Sequence, residues 1–402
     1  MIRMPATGPG LDPAVVYLDY NATTPVDPRV VEAMLPYLST HFGNPSSAHA
    51  YATAPARALG AARDRVAALI GAQPEQIVFT GSGSEANALA IRGAVLAADP
   101  TNPPHVITQA TEHPAVLAAC QALHREHGVR VTILPVDEHG LLDPARLQAT
   151  FTPGTVLVSV MYANNETGTI QPIAELAAIT HRHGALFHTD AAQAAGKIPL
   201  DVQALDVDLL TVVGHKMYAP KGIAALYTRP GIGLRPLIGG GGQEHGLRAG
   251  TESVADAVAL GAAADLAADE LAHGRPAQLQ ELRDRLHATV VEQLPGRVGL
   301  NGHPLRRLPN TLNLSIAGTP GHQLLAACPG LAASTGSACH AGLHQPSPVL
   351  TAMNLTADAA LSAIRLSVGR WTTDADIEQA ATQLVAASTD TRLVEARAEL
   401  DA

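Results

Sequence analysis

The chain reads as an α/β protein, a large domain on a mostly parallel seven-stranded sheet joined to a smaller α+β domain. Three observations predict this. From residue 77 to residue 228, short apolar runs alternate with loops and helical stretches, the beat of βαβ units. Two of those runs end in reactive side chains: 185–190 closes on Asp190, and 207–213 empties through Gly214 and His215 into Lys216. Beyond about residue 266 the pattern changes to a charged amphipathic helix, 277–294, and short strands at 311–315 and 363–367. The expected domains are 15–265 and 266–402, the second packed with an N-terminal arm, 1–14.

Open α/β sheets bind ligands where their strands end, so Asp190 and Lys216 converge on one crevice if both strands share a sheet. A lysine that forms a Schiff base, with an aspartate to hold a pyridinium nitrogen, is what pyridoxal phosphate chemistry requires. By themselves the two residues fit equally a surface lysine and a helix cap.

In chain order, 15–19 is a short strand, followed by a polar turn at 20–25 and a short helix over 30–37. Asn44–Pro45 and its small polar neighbours mark a loop, and a helix runs from Pro55 to Ile70, stopped by Gly71. Strand 77–80 leads through Gly81–Ser82–Gly83–Ser84 into a helix ending near Ala97. That turn is a candidate anion cradle, since glycines admit close approach and a helix N-terminus favours negative charge. Its spacing matches neither the dinucleotide fingerprint nor the P-loop, and an ordinary tight connection fits it as well. The sheet then continues with strands 105–108, 129–134, 155–161, 185–190, 207–213 and 223–227. Helices cover 115–127, about 142–147 and 172–183. Four consecutive glycines, 239–242, make a loop, and the alanine-rich helix 254–272 links the domains. Residues 334–348 form a loop of small residues, and the last helix begins near Thr373.

Composition narrows the function classes. Lys and Arg number 26 against 36 Asp and Glu, a net charge of −10, so bulk electrostatics disfavour nucleic acid as a partner. No stretch approaches the roughly 20 apolar residues that span a bilayer, and Met1–Pro5 is followed by no signal-like apolar run, so a cytoplasmic chain is expected. The 18 histidines are scattered without a metal-ligand spacing, and no metal site is expected. The three cysteines, Cys120, Cys328 and Cys339, make no CxxC pair.

Nine segments in register carry a family resemblance: Leu18–Pro25, Gly43–His49, Thr111–His113, Asn164–Gly168, His188–Gln193, His215–Gly222, Gly241–Glu244, Arg248–Thr251 and Gly336–Cys339. Over about residues 15 to 385 the chain resembles the NifS-like cysteine desulfurases, pyridoxal-phosphate enzymes of aminotransferase class V and fold type I. The loop around Cys339 resembles the group with a long, mobile cysteine loop.

The resemblance implies a set of roles. Lys216 holds pyridoxal 5′-phosphate covalently and moves protons at Cα. Asp190 pairs with the pyridine nitrogen, Gln193 donates to the ring hydroxyl, and Asn165 is a second polar contact there and to substrate. His113 stacks on the ring and shuttles protons. Ser84 and His215 hold the phosphate, and Thr251 reaches the phosphate of a second subunit, which implies a homodimer. Arg365 clamps the substrate carboxylate. Cys339 takes sulfur from L-cysteine as a persulfide, leaving L-alanine, and passes it to an acceptor protein. A thiolate suits this role because it is soft and nucleophilic near neutral pH. Cys120, on an apolar helix face, reads as a buried small hydrophobe.

Some positions depart from the family pattern. Val213 stands where many relatives carry a phosphate-binding serine, Tyr20 and Ala88 replace asparagines, and His340 follows the cysteine. The alternatives are a selenocysteine lyase or another C–S lyase on the same scaffold, and a non-catalytic delivery scaffold. The retention of Lys216 and Asp190 argues against the last. Iron–sulfur cluster assembly, tRNA thiolation and dedicated cofactor pathways all use this sulfur chemistry.

Overall fold

The computed structural model describes residues 8–98, 103–335 and 345–389. Its main sheet has seven strands in the spatial order Ile77–Thr80, Ala224–Thr228, Leu209–Val213, Leu186–Asp190, Thr155–Ser159, His105–Gln109 and Arg130–Leu134. Ala224–Thr228 runs antiparallel to both of its neighbours, and the remaining pairs are parallel. The mostly parallel seven-stranded sheet read from the sequence is therefore present.

Alternation along each strand explains why the runs are apolar throughout. Successive residues face opposite sides of a sheet, and both sides here are covered. Ile77, Phe79, Leu210 and Val212 point into one core, packed by Thr53–Leu69, Ile173–Arg182 and Val254–Ala272. Val78, Leu209 and Leu226 point into the other, packed by Gly83–Ala97 and Pro114–His127. Thr53–Leu69 and Val254–Ala272 approach closely: a Cβ at Gly261 would sit 2.8 Å from the Ala62 Cα. The alanine and glycine content of these helices permits that contact.

A second sheet of three antiparallel strands, Ala363–Ser367, Thr311–Ile316 and Val298–Leu300, builds a separate core. The Arg275–Gln293 and Asp374–Thr389 helices cover it. Val16–Tyr17 pairs in parallel with Leu331–Ala332, and Val16 and Leu18 are buried in this C-terminal core. The first residues of the expected large domain, Val16 and Leu18, thus pack into the C-terminal core, while Asn21 to Thr24 reach the loop after the Leu209–Val213 strand.

Two local readings are refined. The single helix expected over 30–37 is two short ones, Pro28–Met34 and Pro36–Ser39, each with proline in its first turn. The expected 334–348 loop ends one residue early. Ser347 caps a helix at Pro348–Ala352, its hydroxyl accepting from the Val349 and Leu350 amides. Among the described residues, no helix is long and apolar enough to cross a membrane.

Candidate active site

A cavity of about 590 Å³ opens at the carboxyl ends of the central strands, lined by residues of the main sheet, the N-terminal segment and the C-terminal sheet. The Leu209–Val213 strand leaves the sheet through Gly214, where a Cβ would lie 2.9 Å from the Ile223 carbonyl oxygen. This tight exit delivers Lys216 to the cavity. Its Nζ donates to the Asn21 and Ala22 carbonyl oxygens, both at 2.7 Å. Burial, with the Arg365 charge acting the same way, brings the Lys216 ammonium down to about 8. An amine that gives up its proton near neutrality is a nucleophile and a base.

Asp190 ends the Leu186–Asp190 strand and is buried. Its Oδ1 accepts from the Ala192 amide at 2.9 Å, and its Oδ2 accepts from Asn87 Nδ2 at 2.6 Å. Asp190 and Lys216 therefore line one crevice, as expected from the strand ends. His113 caps the Pro114–His127 helix by accepting the Ala115 amide at Nδ1, 3.1 Å away, which leaves the neutral ring's proton on Nε2. Burial lowers its basicity, Asp190 raises it, and Lys216 lowers it.

One wall is the turn that opens the 15-residue Gly83–Ala97 helix. Ser82 caps it by accepting the Glu85 amide at 3.1 Å, and Ser82, Ser84, His215 and Lys221 surround the helix end. His215 Nδ1 lies 3.1 Å from the Thr23 hydroxyl. Burial and the charges of Lys216 and Lys221 push His215 down to about 4, so it is neutral in ordinary buffers. Val213 fills the space over Gly83: a Cβ there would lie 2.5 Å from Val213 Cγ2.

Arg365 enters from the Ala363–Ser367 strand. Its Nη2 pairs with Asp19 at 2.7 Å and its Nη1 donates to the Asn165 carbonyl at 3.1 Å. Its Nε is buried with no hydrogen-bond partner among the described residues. Asn165 and Gln193 also line the cavity, and Gln193 Nε2 donates to the Asn21 carbonyl at 3.0 Å. Thr251 is exposed and is not among the residues lining the crevice.

Cys339 and His340 lie outside the described residues. The two described cysteines are buried: Cys120 is pushed up to about 12 by burial and by Glu112, and burial also raises Cys328. Neither carries a thiolate near neutrality.

Sequence reading overlooked Asn87, which fixes Asp190, and Asn21, whose carbonyl holds Lys216. Asn87 is a lone amide on an alanine- and leucine-rich helix face, a signal that was open to reading. Asn21 belongs to a polar turn whose burial becomes visible only in three dimensions.

A sheet of this topology, with a lysine and a buried aspartate meeting at its strand ends, defines an α/β enzyme that works on a ligand seated in the inter-sheet crevice. The chain matches the aminotransferase class-V family over residues 16–380. A cysteine desulfurase of Trichormus azollae is 48% identical over 370 residues, covering 91% of each chain. The Homo sapiens cysteine desulfurase is 45% identical over 377 residues, 93% of this chain and 81% of that one. A solved NifS-like protein superposes with a TM-score of 0.86 at 33% identity, covering 92% of this chain and 98% of its own. SspA, solved in complex with cysteine, gives a TM-score of 0.79 at 35% identity, covering 89% of this chain and 100% of that one. The chain belongs to the aminotransferase class-V family, among its cysteine desulfurases.

Proposed function

We propose that the protein is a pyridoxal-phosphate-dependent cysteine desulfurase. It converts L-cysteine to L-alanine and moves the sulfur to Cys339 as a persulfide, for transfer to an acceptor protein. The observation that carries the reading is the convergence of Lys216, Asp190 and Arg365 on one cavity. The relative SspA holding cysteine supports the substrate class.

The residues present fit the cofactor. Asp190 is a buried carboxylate at the cavity wall, fixed by Asn87, and suits a ring nitrogen that must stay protonated. The turn at Ser82–Ser84 and the neutral His215 suit a phosphate, and Lys216 suits a covalent tether. Bound there, pyridoxal 5′-phosphate supplies an electron sink for bonds at the substrate Cα.

The chain's own groups do the rest. Lys216 Nζ, once free of its tether, holds and returns the proton at Cα, and its lowered basicity fits it for both directions. Arg365 binds the substrate carboxylate, which takes the place of Asp19 on the guanidinium. His113 Nε2–H faces the cavity as a proton carrier. The Cys339 thiolate bonds to the substrate sulfur as the Cβ–S bond breaks, and Cβ takes a proton. A cysteine and a thiol thereby become alanine and a persulfide, with no external oxidant.

We propose further that the working unit is a homodimer. Leu35, Leu38, Phe42 and Tyr51 are 53%, 62%, 68% and 68% exposed, a large apolar display for a chain surface. Thr251 is exposed and outside its own crevice, which supports the reading that it serves the site of a second copy.

The test is incubation of the cofactor-loaded protein with L-cysteine, following alanine and the mass of the Cys339 peptide. Alanine together with a gain of about 32 Da, one sulfur, is expected, and both are lost in Cys339→Ala. Pyruvate and ammonia in place of alanine, or alanine that persists in the variant, overturns the persulfide route.

A further inference from the structure

Lys197 is a buried lysine for which the chemistry above has no use. It sits in the turn after the Asp190 strand, and Gly196, at φ 73°, turns the backbone just before it. Its Nζ lies 2.6 Å from Gln193 Oε1 and 3.0 Å from Asn21 Oδ1. No carboxylate pairs with it among the described residues. Burial drives its proton affinity well below the ordinary lysine range, and the charges of Lys216 and Arg365 act the same way. Across a void of about 30 Å³ it faces Glu270, Arg275 and Arg370. A buried amine in such a place is costly, and a Met would fill the volume at less expense.

Its two bonds fix the orientation of two site amides. Gln193 Nε2 donates to the Asn21 carbonyl, an acceptor only, so Oε1 must turn toward Lys197. Asn21 Nδ2 donates to the Asn165 carbonyl at 3.2 Å and to the Thr311 hydroxyl at 2.8 Å. Its Oδ1 must then face Lys197 and Asn310 Nδ2, the latter at 3.0 Å. Whether charged or neutral, the amine has enough hydrogens to make both bonds. With Oε1 occupied, Gln193 can present only its remaining Nε2 hydrogen to the cavity. With Oδ1 occupied, the Asn21 backbone that holds Lys216 is pinned.

We propose that Lys197 is a positioning residue for the reaction: it locks the Gln193 amide so that the cavity meets a hydrogen-bond donor. The proposal deepens the functional reading above and rests on it. With pyridoxal 5′-phosphate bound, a donor that Gln193 offered to the ring oxygen would compete for that oxygen with the protonated lysine linkage. Loosening Gln193 therefore makes the linkage hold its proton to higher pH.

The test is a pH titration of the absorbance of the lysine-linked cofactor, using holoenzymes of the wild type, Lys197→Met, Gln193→Ala and the double variant. Lys197→Met is expected to raise the midpoint by about one pH unit, a tenfold gain in proton affinity. Gln193→Ala moves it in the same direction, and the double variant matches Gln193→Ala alone, because both changes act through one amide. A merely structural role moves thermal stability but not the midpoint. Lys197→Gln, which retains one donor at shorter reach, gives a smaller upward shift and serves as the test if Lys197→Met does not fold. An unchanged midpoint in the folded variant, or a shift that persists in full on the Gln193→Ala background, overturns the inference alone. A wild type that develops no lysine-linked absorbance with pyridoxal 5′-phosphate overturns the functional reading, and this inference with it.

Discussion

Lys216 illustrates how one residue can be destabilised for use. Its proton affinity in the folded chain falls to about 8 against an ordinary 10.5, chiefly through burial. Between those values the unfolded chain binds the proton and the folded chain does not, so stability rises with pH across that window. The penalty is complete below about 8. In cofactor-free protein, Lys216→Met is therefore expected to be the more stable by about 3 kcal/mol at neutral pH, with the gap closing toward 10.5. Denaturant melts at several pH values check this, and a gap independent of pH would assign the effect to packing instead. Glu112 is the counterpart among acids: burial lifts its carboxyl to about 8 against the opposing Met161 amide bond. Lys216 and Asp190 were legible in the sequence because each lies at or just beyond the end of an apolar strand, whereas Arg365 was reached through the family resemblance. Asn21, Lys197 and the burial of Glu112 were not, since a polar group's enclosure depends on elements distant in the chain.

At the scale of elements, glycine and proline made most boundaries readable. Helix Val254–Ala272 and strand Ala363–Ser367 fall where the pattern put them. The reversed direction of Ala224–Thr228 was not read, although the connection from Val213 is shorter than the dozen or more residues a parallel crossover needs. The junction of the Leu209–Val213 strand with the Gly83–Ala97 helix has its own consequence. Val213 packs an apolar side chain on Gly83, at a position where the family resemblance implies a serine, so the helix end offers one donor fewer than that pattern would. Val213→Ser is expected to slow loss of pyridoxal 5′-phosphate about tenfold, the worth of one charge-assisted hydrogen bond. Cofactor loss into a scavenger, followed by absorbance, measures it. An unchanged rate would mean that Ser82, Ser84, His215 and Lys221 already saturate the phosphate.

Across the whole molecule the crevice joins three pieces: the main sheet, the N-terminal segment and the C-terminal sheet. Motifs showed the pieces and 15–19 read as a strand, but its partner Leu331–Ala332 is only two residues long and did not announce itself. The proposed homodimer extends the same logic to a second copy. Leu38→Asp with Phe42→Asp is expected to give monomers by sedimentation and to speed cofactor loss, because Thr251 is withdrawn with the partner. Monomers that retain the cofactor as the dimer does would remove Thr251 from the site.

The ion pair of Asp19 with Arg365 and the bond from the Asn21 amide to the Ser367 hydroxyl each span 346 positions. On the ribosome, one end of each contact emerges first and the other nearly last. Chains of this size fold piece by piece as they are made. The main sheet can therefore be assembled, with Lys216 and Asp190 in place, while the cleft still lacks Arg365, the proposed substrate clamp. A nascent chain stalled or cleaved before Arg365 thus carries the lysine without the residue proposed to select what reaches it, and the order of synthesis leaves an interval in which that amine is made but unguarded.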